Sequence, residues 1–167
     1  MDMRKLRSTK RLRLDSLLLM MIFAVTAFAL MWTAVSCFRR IRGAYESASE
    51  CLGAARFTAN HLKSAEGRIS VFSNPDGSLD RLVIGRDDGY ETVISIKGGS
   101  LCEALVPAGS DISSGERIFS AQRLFLSEAA DNTVKISAFS SGGQSAVIYA
   151  EPSAETAFFV SEGGGGS

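Results

Sequence analysis

The hydrophobic pattern divides the chain into stretches with different periods. Ser16 to Phe38 reads SLLLMMIFAVTAFALMWTAVSCF and holds no charge, no Gly and no Pro. As a helix it would span about 34 Å, enough for a hydrocarbon core of about 30 Å. A helix apolar on every side suits lipid better than a small soluble core. The pattern then becomes one-sided. Ile41, Tyr45, Ala48, Leu52, Ala55, Ala59 and Leu62 follow alternating steps of four and three, while Glu46, Glu50, Arg56 and Lys63 lie off that stripe. No Pro intervenes between Ser16 and Glu66. One long helix is expected, part in lipid and part in water, with Gly67 as its stop and Gly43 and Gly53 as candidate bends. The stripe is expected to lie on the chain's own sheet.

Downstream of Gly67 the period falls to two. Strands are expected over 69–72, 79–84, 90–96, 101–106, 117–126, 133–139 and 145–150. Asn74-Pro75-Asp76-Gly77, Arg86-Asp87-Asp88-Gly89, Gly98-Gly99 and Gly142-Gly143 supply turn chemistry between them. Seven short strands at this spacing predict an antiparallel meander. Ala157 to Val160 is apolar and could dock as an edge strand or touch a partner, and Gly163 to Ser167 has linker composition. The fold class is therefore α+β. Its segments are a basic tail (1–15), a transmembrane helix (16–38), an amphipathic extension (39–66), a β domain (67–151) and a flexible C-terminal tail (152–167).

Charge orients the span. Arg4, Lys5, Arg7, Lys10, Arg11 and Arg13 precede it, and Arg39, Arg40 and Arg42 follow. That excess predicts a cytoplasmic N-terminus and an extracellular C-terminal domain. The basic tail suits anionic headgroups of the lipid bilayer. Residues from 39 onward carry twelve basic and sixteen acidic side chains, a balance of −4. A nucleic-acid partner is not expected for so acidic a domain. Ala34-Val35-Ser36 satisfies the small-residue rule for signal cleavage, and Ser36-Cys37 faintly matches a lipoprotein site. The length of the apolar run and the Phe38-Arg39-Arg40 that follows favour a retained anchor.

The search for chemistry returns little. Cys37, Cys51 and Cys102 show no CxxC spacing. A Cys51–Cys102 disulfide is possible outside the cell, but two separately buried thiols, one on a helix and one on a strand, are favoured. His61 is the single histidine, read as a surface or boundary residue with no nucleophile beside it. Asp87-Asp88 reads as a turn and lacks a calcium loop's ligand spacing. No phosphate-cradling Gly motif and no nucleophile elbow occurs. No catalytic residue, metal or cofactor is expected, and the chain is read as a non-enzyme. Within the span, Ala29, Thr33 and Cys37 form a small-residue face at steps of four, the kind that lets helices approach closely. Asp15 stands at the cytoplasmic lip, as a helix N-cap or as the partner of a neighbouring subunit's cation.

A basic tail, an acid-led apolar helix, an amphipathic extension and an antiparallel sheet together resemble type IV pilins and pseudopilins. The chain is most similar to an uncharacterised domain family of Gram-positive bacteria associated with pilus-like or secretion gene clusters. The matching residues are Tyr45, Arg56 to Lys63, Tyr90 to Ile96, Gly99 to Leu105, Gly115 and Ile118, and the pattern covers residues 16 to 150. The resemblance implies a component of a filament, secretion or DNA-uptake apparatus. Its partners would be other membrane-anchored pilin-like subunits or assembly proteins. Prepilins carry a small residue before the apolar helix and a Glu soon after it. Arg13-Leu14-Asp15-Ser16 departs from that pattern, which favours a fixed membrane component over a polymerised subunit. An anchored extracytoplasmic binding module, with its ligand on the sheet or on the Ala108–Glu116 loop, is the alternative.

Overall fold

A computed structural model describes residues 3–110, 115–130 and 132–160, with side chains from Asp15 onward. The basic side chains before Asp15, the middle of the Ala108–Glu116 loop and the Gly163–Ser167 end lie outside the described residues. The chain is α+β: among the described residues, one helix, α1 (Met3–Lys63), then nine strands. They are β1 (Ile69–Ser73), β2 (Leu79–Gly85), β3 (Tyr90–Lys97), β4 (Ser100–Pro107), β5 (Glu116–Ser120), β6 (Arg123–Glu128), β7 (Val134–Phe139), β8 (Ser145–Ala150) and β9 (Thr156–Val160). Two compact units result, Met1–Gly43 and Ala44–Ser167.

In the first unit α1 is long and apolar enough to cross a membrane. Its large side chains face outward: Phe23 is 75% exposed and Trp32 68%. The helix stops at Lys63, short of the expected end at Glu66.

In the second unit the strands form two sheets, correcting the single meander. A six-stranded sheet runs β5-β4-β3-β2-β1-β9, and a three-stranded sheet runs β6-β7-β8. All pairings are antiparallel except β1 with β9, which is parallel. The expected strand over 117–126 breaks at Ala121-Gln122, and its halves enter different sheets. Three contacts from afar hold the break. Ser120 N–H donates to the Glu50 carboxylate at 2.8 Å, Ala121 N–H to Gly99 O at 3.2 Å, and Gln122 N–H to Phe139 O at 2.8 Å. Of the tail over 152–167, the flexible expectation is corrected at Thr156–Val160, which pairs with Ile69–Ser73 as β9, the edge-strand docking that the apolar run 157–160 allowed. Ser153 leads the chain there. Its N–H donates to Leu62 O at 3.1 Å and its hydroxyl donates to Ala65 O, so it satisfies carbonyls at the end of α1. Turn chemistry behaves as expected at the β3–β4 hairpin, where Gly98 and Gly99 adopt φ of 57° and 74°.

One core joins the elements of this unit. It gathers Cys51, Ala54, Ala55, Ala59 and Leu62 from α1 with Ile69, Leu82, Ile94 and Leu101 from the larger sheet and Leu124 and Ile136 from the smaller. Each large aliphatic buried this way stabilises by about 1.5–3 kcal/mol. Thr58 is buried among them, and its hydroxyl donates to Ala54 O at 3.0 Å. The buried face differs from the expected stripe: Tyr45 is 75% exposed and Leu52 37%, while Ala55, Ala59 and Leu62 are buried. Small residues win because the helix approaches closely. A Cβ on Gly53 would lie 2.5 Å from the Phe119 ring.

Candidate interaction surfaces

Asp15, Ala29, Thr33 and Cys37 all lie on α1 and are all exposed. Ala29, Thr33 and Cys37 share one helical row, as their spacing requires. The Thr33 hydroxyl donates to Ala29 O at 2.8 Å, and the Thr26 hydroxyl to Phe23 O at 2.9 Å. Both hydroxyls are therefore satisfied inside the helix and compatible with lipid or with a close neighbour. Asp15 is not an N-cap. The helix already begins at Met3, because the preceding stretch, rich in Leu, Lys and Arg and lacking Gly and Pro, is itself helix-forming. Its carboxylate thus projects from helix interior.

The second unit presents two further features, of which sequence patterning singled out only the apolar run over 157–160. The first is an open polar cleft of about 780 Å³, lined by Glu46, Glu50, Gly99, Ser120, Gln122 and Ser140 among others. Cys51 sits behind it, with its thiol 3.8 Å from Gln144 O, and burial pushes that thiol up from its ordinary pKa. Cys51 and Cys102 are both free and buried. Cys102 lies in register with Ser95, outside the main core and on the sheet's other face, which keeps the two thiols apart.

The second feature is an aromatic edge. On the outer face of the larger sheet the Phe72 and Phe159 rings stack at 5.3 Å, and the Arg81 guanidinium lies 4.6 Å from the Phe72 ring centre. Phe158, Phe159 and Val160 are all exposed. The only sequence signal for this site was the apolar run over 157–160. The stacking partner Phe72 could not be assigned without the parallel β1–β9 register.

The remaining candidates resolve into structural roles. His61 is half-buried, its Nε2 3.4 Å from Glu103 Oε1 and its ring 4.5 Å from that of Phe57. Asp88 accepts a hydrogen bond from Tyr90 N–H at 3.1 Å and pairs with Arg86. These contacts hold its carboxyl below the usual range and close the β2–β3 turn. Among the described residues no three metal-ligating side chains converge. Comparison with family models, curated proteins and solved structures returned no match to this chain.

Proposed function

We propose that this chain is a non-enzymatic, membrane-anchored, pilin-like or pseudopilin-like component of a type IV pilus-like, secretion or DNA-uptake apparatus. Its N-terminus would be cytoplasmic and its β domain extracellular. The supporting observation is the double use of one helix. α1 carries an exposed apolar run with a row of small residues, and its last turns form one wall of the β-domain core. Such a helix can anchor, present a packing face and organise a soluble domain at once. Asp15 and the Ala29–Thr33–Cys37 row are the assigned contact residues with neighbouring subunits.

Purification from native membranes tests this. The wild-type chain should carry other single-span helical proteins with it, and Asp15→Asn or the paired change Ala29→Leu and Thr33→Leu should abolish their recovery. A chain that purifies alone under mild extraction defeats the proposal. The polar cleft beside Glu50 favours the second reading, an anchored binding module. On that reading the fragment 44–160 captures its ligand without α1's apolar half.

A further inference from the structure

We propose that β9 is a homodimer contact, pairing antiparallel with β9 of a second copy of this chain. Among the described residues β9 ends the larger sheet, with β1 as its one neighbour there. Edge strands usually carry charges, bulges or Pro that discourage pairing. The opposite edge, β5, has Glu116, Arg117 and a register shift against β4. In the smaller sheet the edge strand β6 has Arg123 and Glu128. β8 is uncharged, but its exposure alternates, with one face turned to the core. β9 reads TAFFV, with no charge and no Pro, and it exposes Phe158 on one face and Phe159 on the other.

The backbone sets the register. Ile69 N–H donates to Glu155 O at 3.2 Å, so the main-chain groups of Glu155, Ala157 and Phe159 turn toward β1. Those of Thr156, Phe158 and Val160 turn to the open edge. An antiparallel partner must match outward groups with outward groups. Two copies of β9 do so when Phe158 faces Phe158, with Thr156 opposite Val160 and Ala157 opposite Phe159. That register brings two β-branched residues together and sets a large ring against a small methyl. It opposes no like charges, which makes the strand self-complementary. The contact is isologous, so it closes a dimer and does not extend a filament. It therefore stands independently of the pilus-like reading.

Cross-linking of the full chain in detergent or liposomes tests the register. In a Cys37→Ser background, Phe158→Cys should form a covalent dimer under mild oxidation. Hydrogen-bonded antiparallel residues have Cα atoms about 5.5 Å apart, within the disulfide range of about 4.4–6.8 Å. Val160→Cys should stay monomeric, because the two copies of residue 160 would sit about 14 Å apart. Light scattering then measures mass. The wild type should carry two chains and Phe158→Lys one, with unchanged circular dichroism. Equal masses for wild type and Phe158→Lys, or equal cross-linking at 158 and 160, overturn the proposal. So does a wild type that is monomeric throughout, which leaves the edge to a foreign strand.

Discussion

The two halves of α1 use apolar residues in opposite ways. Between Leu17 and Phe38 the large side chains are exposed; between Cys51 and Leu62 the buried ones are mostly small. Among the described residues the first half packs against no other element of its own unit, so bulk costs no fit there. The second half is pressed against two sheets, where backbone approach matters more than side-chain area. Hydropathy therefore marks the exposed apolar run well and the packed face poorly. Size, and the presence of a partner to receive it, separates the two.

Substitutions matched across the halves test this contrast. Leu62→Ala should cost about 2–5 kcal/mol of unfolding free energy in the β unit, while Leu19→Ala leaves it unchanged. Denaturant titration in micelles, followed by the β signal in circular dichroism, reads both. Equal losses would end the distinction. A smaller effect is expected at the glycines. Nothing lies within 4 Å of a Cβ placed on Gly43, whereas one on Gly53 meets Phe119. Gly43→Ala should be neutral or stabilise the helix by up to about 1 kcal/mol. Gly53→Ala should lower stability, since overpacking costs about 1–3 kcal/mol against that same gain. Stabilisation at both sites would show that the Phe119 ring yields freely.

The smallest effect is electrostatic. The Ser78 hydroxyl and N–H both donate to Asp76, holding its carboxyl below the usual carboxylate range. A depressed folded pKa stabilises above the unfolded value and loses that contribution as pH falls through the folded one. Protection factors for amides of the β1–β2 hairpin, which remove the intrinsic pH dependence of exchange, should therefore hold down to about pH 4 and fall below it. Asp76→Asn should flatten that response. The segment 16–38 has no carboxylate, so its helicity should ignore the same acid step.

Much of the architecture was legible because it is local. The apolar run, the period-two strands and the Gly98-Gly99 turn each carry their own signal, and most observed strand ends lie close to the expected ones. What escaped depends on distant partners. The break after Ser120 contains no Gly or Pro; it is held by Glu50, Gly99 and Phe139. The buried helix face was misjudged at Tyr45 and Leu52 because periodicity alone could not show that Cys51, Ala54 and Thr58 fit closer to the sheets. Phe72 and Phe159 became neighbours only through a parallel pairing across most of the domain. Asp15 and the small-residue row were legible as positions on a helix, although the helix start that excludes an N-cap role was not.

The parallel seam between β1 and β9 also has a consequence for the order of assembly. Ile69 emerges from a ribosome well ahead of Thr156, its partner across the seam. The sheet cannot complete that side until the chain has been made through β9, and closing so long a loop is entropically slow. Until then β1 is itself an open edge. Ser153 anchors the end of the chain to a helix terminus formed long before. A nascent chain halted before β9 would therefore present Ile69, Val71 and Phe72 to any strand that arrived first.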